Sequence, residues 1–130
     1  MSTNFFEIKN VNFAIGGKNK VNDVNLSIEN EGDIICILGP SGIGKTTMLR
    51  TIAGLEKINK GEIILKDKVI SSEKVHIEPE KRNIALSFQE NSLFPHYTVN
   101  RNIHLGEKKE LIKKKNINAN EIIKILNLES

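Results

Sequence analysis

The sequence predicts an α/β fold in which an N-terminal antiparallel β-subdomain precedes a strand, a loop and a helix. Three observations predict it: apolar residues that mostly alternate from Phe6 to Ile28, a short β-branched run at IICIL, and a glycine-rich stretch leading straight into a helical pattern. With 130 residues the chain has room for one compact domain or part of one. A composition of 38% hydrophobic and 27% charged residues excludes disorder throughout.

The first element is a β-hairpin. Phe6 and Ile8, then Val11, Phe13 and Ile15, and after GGKNK Val24, Leu26 and Ile28, carry the period of two. The step from Ile8 to Val11 breaks that period and predicts a bulge that re-aims the side chains. ENEGD then turns the chain into Ile34 to Leu38, an apolar run that reads as a strand buried on both faces, with Cys36 as a small core residue. In KTTMLRTIAG, Met48, Leu49, Ile52 and Ala53 share a helical face, and Gly54 is a natural left-handed stop.

GEIILKDKVI predicts a second hairpin turning at Lys66-Asp67-Lys68, and IALSF reads as another interior strand. Thr98 is placed to N-cap a short helix from Val99 to Leu105, ended by Gly106. The tail holds ELIKKK, read as a solvated lysine face, and an amphipathic helix bearing Ile122, Ile123, Leu126 and Leu128, capped by Asn118 or Asn120.

Charge and cysteine content narrow the setting. Nineteen Lys plus Arg against sixteen Asp plus Glu leave a net charge of +3, too weak a field to argue for a nucleic-acid partner. One cysteine makes no internal disulfide and suits a reducing compartment. No charged-then-apolar leader opens the chain, and Ile34 to Leu38 is too short to span a bilayer. The expectation is a cytoplasmic chain without direct membrane insertion, reaching any membrane through a partner.

The chemistry sits in Gly39 to Thr46, GPSGIGKT, which satisfies G-x-x-x-x-G-K-[ST] between an apolar run and a helix. This is the P-loop pattern. Backbone amides aimed into a concavity hold polyphosphate when no side chain blocks the approach, hence glycines at 39, 42 and 44. Gly39, Pro40, Ser41, Gly42, Ile43, Gly44, Lys45, Thr46 and Thr47 are the expected nucleotide-binding residues. The helix N-terminus supplies roughly 0.3–1 kcal/mol per anion, up to about 2 where partly buried. Lys45 supplies more, on the order of 1.5–3 kcal/mol through a charge-assisted contact to the β- and γ-phosphates. The Thr46 hydroxyl is placed for Mg²⁺.

A P-loop alone does not choose among NTPases. GPSGIGKTTMLRTIAGLE together with EPEKRNIALSFQENSLFPHYTVNRNI, Glu78 to Ile103, resembles the nucleotide-binding subunits of ABC transporters. KRNIALSFQ followed by LFPHYTV looks most like the ATPases of bacterial importers for ferric iron, polyamines, thiamine, oxyanions and sugars. The resemblance implies a P-loop NTPase core, ATP and Mg²⁺ as ligands, and Gln89 contacting Mg²⁺ and the attacking water. It also implies a transmembrane permease partner met by Asn91 to Thr98, a second nucleotide-binding subunit, and a place on the inner face of the cell membrane. His96 falls in this loop and reads as structural or partner-facing; His76 and His104 read as surface residues.

Two departures from the family pattern stand out. The aromatic residue that stacks on adenine is replaced at the aligned place by Ile15, with Phe13 as a substitute if the hairpin register differs. No LSGGQ-type signature, magnesium-binding Asp or catalytic Glu follows, since Asp67 is the last Asp and Gly106 the only Gly after Gly61. The chain therefore reads as stopping before the signature and Walker B segments. Its expected parts are 1–30 hairpin, 31–60 P-loop unit, 61–98 second hairpin and Gln89 loop, and 99–130 the start of a helical subdomain. Efficient turnover by this chain alone is not expected, and unpaired strands predict exposed apolar faces and aggregation.

Overall fold

A computed structural model of the chain describes residues 4–15, 18–90, 93–105 and 119–128. It divides into two units, Met1–Ser87 and Phe88–Ser130. The first is built on a four-stranded antiparallel sheet of order β2-β1-β3-β4, from β1 (Phe6–Ile15), β2 (Lys18–Ile28), β3 (Glu62–Leu65) and β4 (Lys68–Ser72). Helix α1 (Lys45–Ala53) lies between β2 and β3 in sequence.

The bulge expected between Ile8 and Val11 is present. Ile8 pairs with Leu26 and Val11 with Val24, so β1 advances three residues while β2 advances two. Asn10 absorbs the extra residue at φ 50°, a left-handed conformation that asparagine tolerates better than most. The Asn25 carboxamide braces it, Oδ1 accepting from the Asn10 amide at 3.0 Å and Nδ2 donating to Asn10 Oδ1 at 3.2 Å. The slip keeps Phe6, Ile8, Val11 and Phe13 in one core with Met48, Ile58, Ile63 and Ile70. Each such side chain fully buried stabilises by roughly 1.5–3 kcal/mol.

The second hairpin turns as expected, with Lys66 and Asp67 both at positive φ, 47° and 62°. Helix α1 buries Met48 and Ala53, half-buries Ile52 and leaves Leu49 exposed. Its buried Thr51 hydroxyl donates to Thr47 O at 2.8 Å. Gly54 ends it in the left-handed conformation, its amide donating to the Arg50 and Thr51 carbonyls.

Three expectations fail. Ile34 to Leu38 forms no ladder: Ile34 is 91% and Leu38 90% exposed, and Cys36 is an exposed thiol rather than a core residue. Ile84 to Phe88 is likewise not a strand, with Ala85, Ser87 and Phe88 exposed. An apolar strand of the interior kind needs a hydrogen-bonded neighbour on each edge, and no strand among the described residues pairs with either run. Third, Phe13 is fully buried, so it packs the core and has no face free for a base.

The second unit holds α2 (Val99–His104) and α3 (Ala119–Ile125). Thr98 caps α2 as expected, its hydroxyl accepting from the Arg101 amide at 3.2 Å. Asn120 lies inside α3 and is not its cap; Asn118, Gly106 and the ELIKKK lysines lie outside the described residues.

Candidate functional site

The loop from Gly39 to Gly44 rises into α1 through two glycines that need positive φ, Gly42 at 78° and Gly44 at 115°. A Cβ is strained at both, and its absence leaves the backbone open to a ligand. A turn between them and Pro40 is closed by the Ile43 amide donating to Pro40 O at 3.4 Å. Gly39, Pro40, Ser41, Gly42 and Ile43 are exposed along this stretch.

At the head of α1 no side chain caps the amides, and no acidic residue lies in the first turn. The amides of the first turn have no carbonyl within the helix to pair with, so the N-terminus keeps its full partial positive charge. Lys45 is half-buried and folds back over the loop, its ammonium donating to Gly39 O at 2.6 Å and Pro40 O at 2.8 Å. An ammonium has three donors, which leaves one for an anion. Thr46 is exposed beside it, whereas Thr47 is buried with its carbonyl taken by Thr51.

Residues 39 to 47 thus bring the exposed loop, the uncapped amides of the first turn and the Lys45 ammonium together in one segment. This donor set suits a polyphosphate chain. For a divalent cation the exposed side chains of the loop offer only hydroxyl oxygens, those of Ser41 and Thr46, and no cluster of three or more His, Cys, Asp or Glu suited to a metal exists among the described residues. Any such ion in the first unit would take most of its ligands from phosphate and water.

The other expected site residues lie apart from the loop in the chain. Gln89 is exposed at a bend in the second unit. Ile15 ends β1 opposite Lys18, and its side chain is outside what the structure describes. In the second unit the segment after Gln89 is built around Asn102. Its carboxamide accepts from the Phe94 amide at 2.8 Å and donates to the carbonyls of Phe94, Tyr97 and Thr98 at 3.1, 3.3 and 3.1 Å.

That staple holds Leu93, Phe94, Pro95, Tyr97, Val99 and Ile103 around an apolar hollow of about 210 Å³. The Arg101 guanidinium lies 3.7 Å from the Tyr97 ring centre, and exposed His96 packs edge-on against Tyr97 at 4.3 Å. His76 and His104 are half-buried rather than surface residues. His104 Nδ1 lies 2.8 Å from Asn100 O, and His76 Nδ1 lies 3.3 Å from an Arg82 nitrogen.

Arg82 is the residue the sequence pattern did not single out. It is 2% exposed, and burial pulls its guanidinium below the usual value. In EPEKRN it follows Lys81, which is exposed, and nothing in the local pattern separates the two. Its only signal is Pro79, whose turn (Pro79–Lys81) directs the next side chain inward.

No helix among the described residues is long and apolar enough to cross a membrane. The sn-glycerol-3-phosphate import ATP-binding protein of Bartonella bacilliformis is 40% identical over 111 residues, which cover 84% of this chain and 31% of that protein. The spermidine/putrescine import ATP-binding protein of Spiroplasma citri is 44% identical over 108 residues, covering 83% of this chain and 29% of that one. The chain thus spans about a third of the length of the curated relatives it matches.

The crystal structure of a nucleotide-free ATP-binding cassette from an ABC transporter overlays 97% of this chain and 55% of that one, with a TM-score of 0.63 and 22% identity. That overlay places the fold among the ATP-binding cassettes and supports the α/β class read from the sequence, although the strands described here are all antiparallel. The ABC transporter sequence profile matches residues 21–130. On that match the chain belongs to the ABC transporter family.

Proposed function

We propose that the chain is the nucleotide-binding part of an importer ATPase, holding the triphosphate of ATP with residues 39 to 47 and, in complete form, coupling its hydrolysis to solute uptake through a membrane permease. The observation that carries this is the Lys45 ammonium held over the loop carbonyls beside the uncapped N-terminus of α1. Gly39, Pro40, Ser41, Gly42, Ile43 and Gly44 supply the cradle. The amides of Lys45, Thr46 and Thr47 supply the helix end. Lys45 pairs with the β- and γ-phosphates.

Mg²⁺, when bound, neutralises phosphate oxygens and polarises the bond to be broken. In this chain Thr46 and Gln89 would hold it, and Gln89 would also orient the attacking water; the support for Gln89 is the family resemblance. Ile15 stands at the adenine position and offers packing without a π-face. The hollow around Phe94 and Tyr97 is the face proposed for the permease, with a second nucleotide-binding subunit completing the site, so that the chain works at the inner face of the cell membrane without entering it. Names of relatives that read sn-glycerol-3-phosphate and spermidine/putrescine import support an importer.

ATP titration with and without Mg²⁺, set against phosphate release in the same samples, tests the reading. Saturable binding that Mg²⁺ strengthens, with little release by this chain alone, is the expected result. Absence of saturable binding would sink it.

A further inference from the structure

Arg82 is the only charged side chain buried among the described residues. A guanidinium carries five N–H donors, and five acceptors surround this one. Nε donates to Ile77 O at 2.5 Å, Nη1 to Thr51 O at 3.2 Å and Ile52 O at 3.0 Å, and Nη2 to Ser71 Oγ at 2.8 Å. Nη2 also faces His76 Nδ1 at 3.3 Å, an acceptor in the tautomer protonated on Nε2.

None of the five partners is a carboxylate. The positive charge is offset by carbonyls at the negative end of α1, with Glu78 adding a longer-range attraction. One planar group therefore joins the last turn of α1, strand β4 and the backbone at Ile77.

Lys45 and Arg50 tie α1 only to the segments that adjoin it in the chain, the loop carbonyls and Glu56, and its holds on the sheet side are apolar: Met48, Ala53 and half-buried Ile52. Apolar burial is non-directional and places a helix through the fit of its side chains alone. A planar fork of hydrogen bonds adds a fixed direction. A nine-residue helix is about 13 Å long and stiff, so fixing its last turn fixes its first. That first turn carries Lys45, Thr46 and Thr47.

We infer that Arg82 is a positioning residue for the phosphate loop: by gripping the Thr51 and Ile52 carbonyls and tying them to Ser71 and Ile77, it sets where the N-terminal end of α1 stands against the sheet. The inference rests on the nucleotide reading above. Lysine is no substitute, because it keeps the charge but has three donors on one point. Gly54 belongs to the same device, since a Cβ there would collide with the guanidinium.

The test uses the full chain as wild type, Arg82→Gln, Arg82→Lys, Ser71→Ala, Lys45→Ala and, as a stability control, Ile70→Val, which trims one methyl group from a buried residue of the same strand. A fluorescent ATP analogue and amide hydrogen exchange are read on each. Arg82→Gln is expected to weaken binding at least tenfold and Arg82→Lys at least fivefold, and both to speed exchange at residues 42 to 47 as well as 51 to 55. Ile70→Val should keep affinity within twofold.

An Arg82→Gln affinity within twofold of Ile70→Val, or faster exchange confined to residues 51 to 55, overturns the inference. If Arg82→Gln gives no folded protein, Ser71→Ala is read by the same two criteria, with a threefold loss expected. Wild type failing to bind, or Lys45→Ala binding equally well, overturns the nucleotide reading instead, and exchange at residues 42 to 47 then decides the role of Arg82 alone.

Discussion

The Lys45 ammonium reaches back six residues to the carbonyl of Gly39, at 2.6 Å, and so spans the mouth of the loop it belongs to. The same bond that orders the loop points a cation at the space above it. Lys45→Ala removes both effects, and ATP affinity is expected to fall roughly ten- to a hundredfold, as a charge-assisted contact of about 1.5–3 kcal/mol implies. Isothermal titration checks this. Lys45→Arg should recover little, because a bulkier planar guanidinium replaces a compact point charge that reaches both loop carbonyls and keeps a donor for an anion.

Gly54 and Gly32 have nearly equal backbone angles, φ 93° and 99°, yet unequal surroundings. A Cβ at Gly32 meets nothing within 4 Å, whereas one at Gly54 meets Arg82. Gly32→Ala should therefore cost only the left-handed backbone penalty, about 1–2 kcal/mol. Gly54→Ala adds the loss of buried hydrogen bonds to the guanidinium, a further cost on the order of 1–3 kcal/mol. Urea melts of the two variants separate these contributions; equal midpoints would mean that Arg82 yields without cost.

Asn102 makes four hydrogen bonds to the backbone of Phe94, Tyr97 and Thr98. Replacement by alanine should release that turn and speed exchange of the Phe94 amide about tenfold, or about 1.4 kcal/mol for one lost bond. Asn102→Asp keeps the acceptor for Phe94 and loses the three donations. Its exchange rate at Phe94 should fall between wild type and alanine. Tyr97 is the only tyrosine and the chain has no tryptophan, so intrinsic fluorescence follows the same turn.

Ile34 and Leu38 are 91% and 90% exposed. Replacing both by lysine should leave stability within about 0.5 kcal/mol, as for surface positions, while slowing aggregation. Calorimetry and light scattering on the same samples check the pair. A loss of about 1.5–3 kcal/mol per residue would instead reveal that both are packed in solution.

Much of this was legible where a local cause acts. The bulge at Asn10, the Lys66-Asp67 turn, the Gly54 stop and the Thr98 cap each follow from a few neighbouring residues. Residues 39 to 47 read as a phosphate cradle for the same reason, because such a cradle is a contiguous segment. What escaped depends on distant partners. Ile34 to Leu38 has the composition of an interior strand, but a ladder needs edges that a segment cannot supply to itself. Arg82 takes its meaning from Thr51, Ile52 and Ser71, eleven to thirty-one positions away, and Phe13 from the helix and strands that close over it.

Strand β3 pairs with β1 and not with β2, which precedes it along the chain, and Ile8 stands opposite Ile63. Everything between them, including the phosphate loop, is a long excursion whose two ends meet only when that pair forms. Local hairpins close in microseconds, whereas a closure across so many residues is entropically slower. In refolding, competence to hold an anion should consequently emerge together with the final zipping of the sheet, and not with the earlier appearance of helical signal.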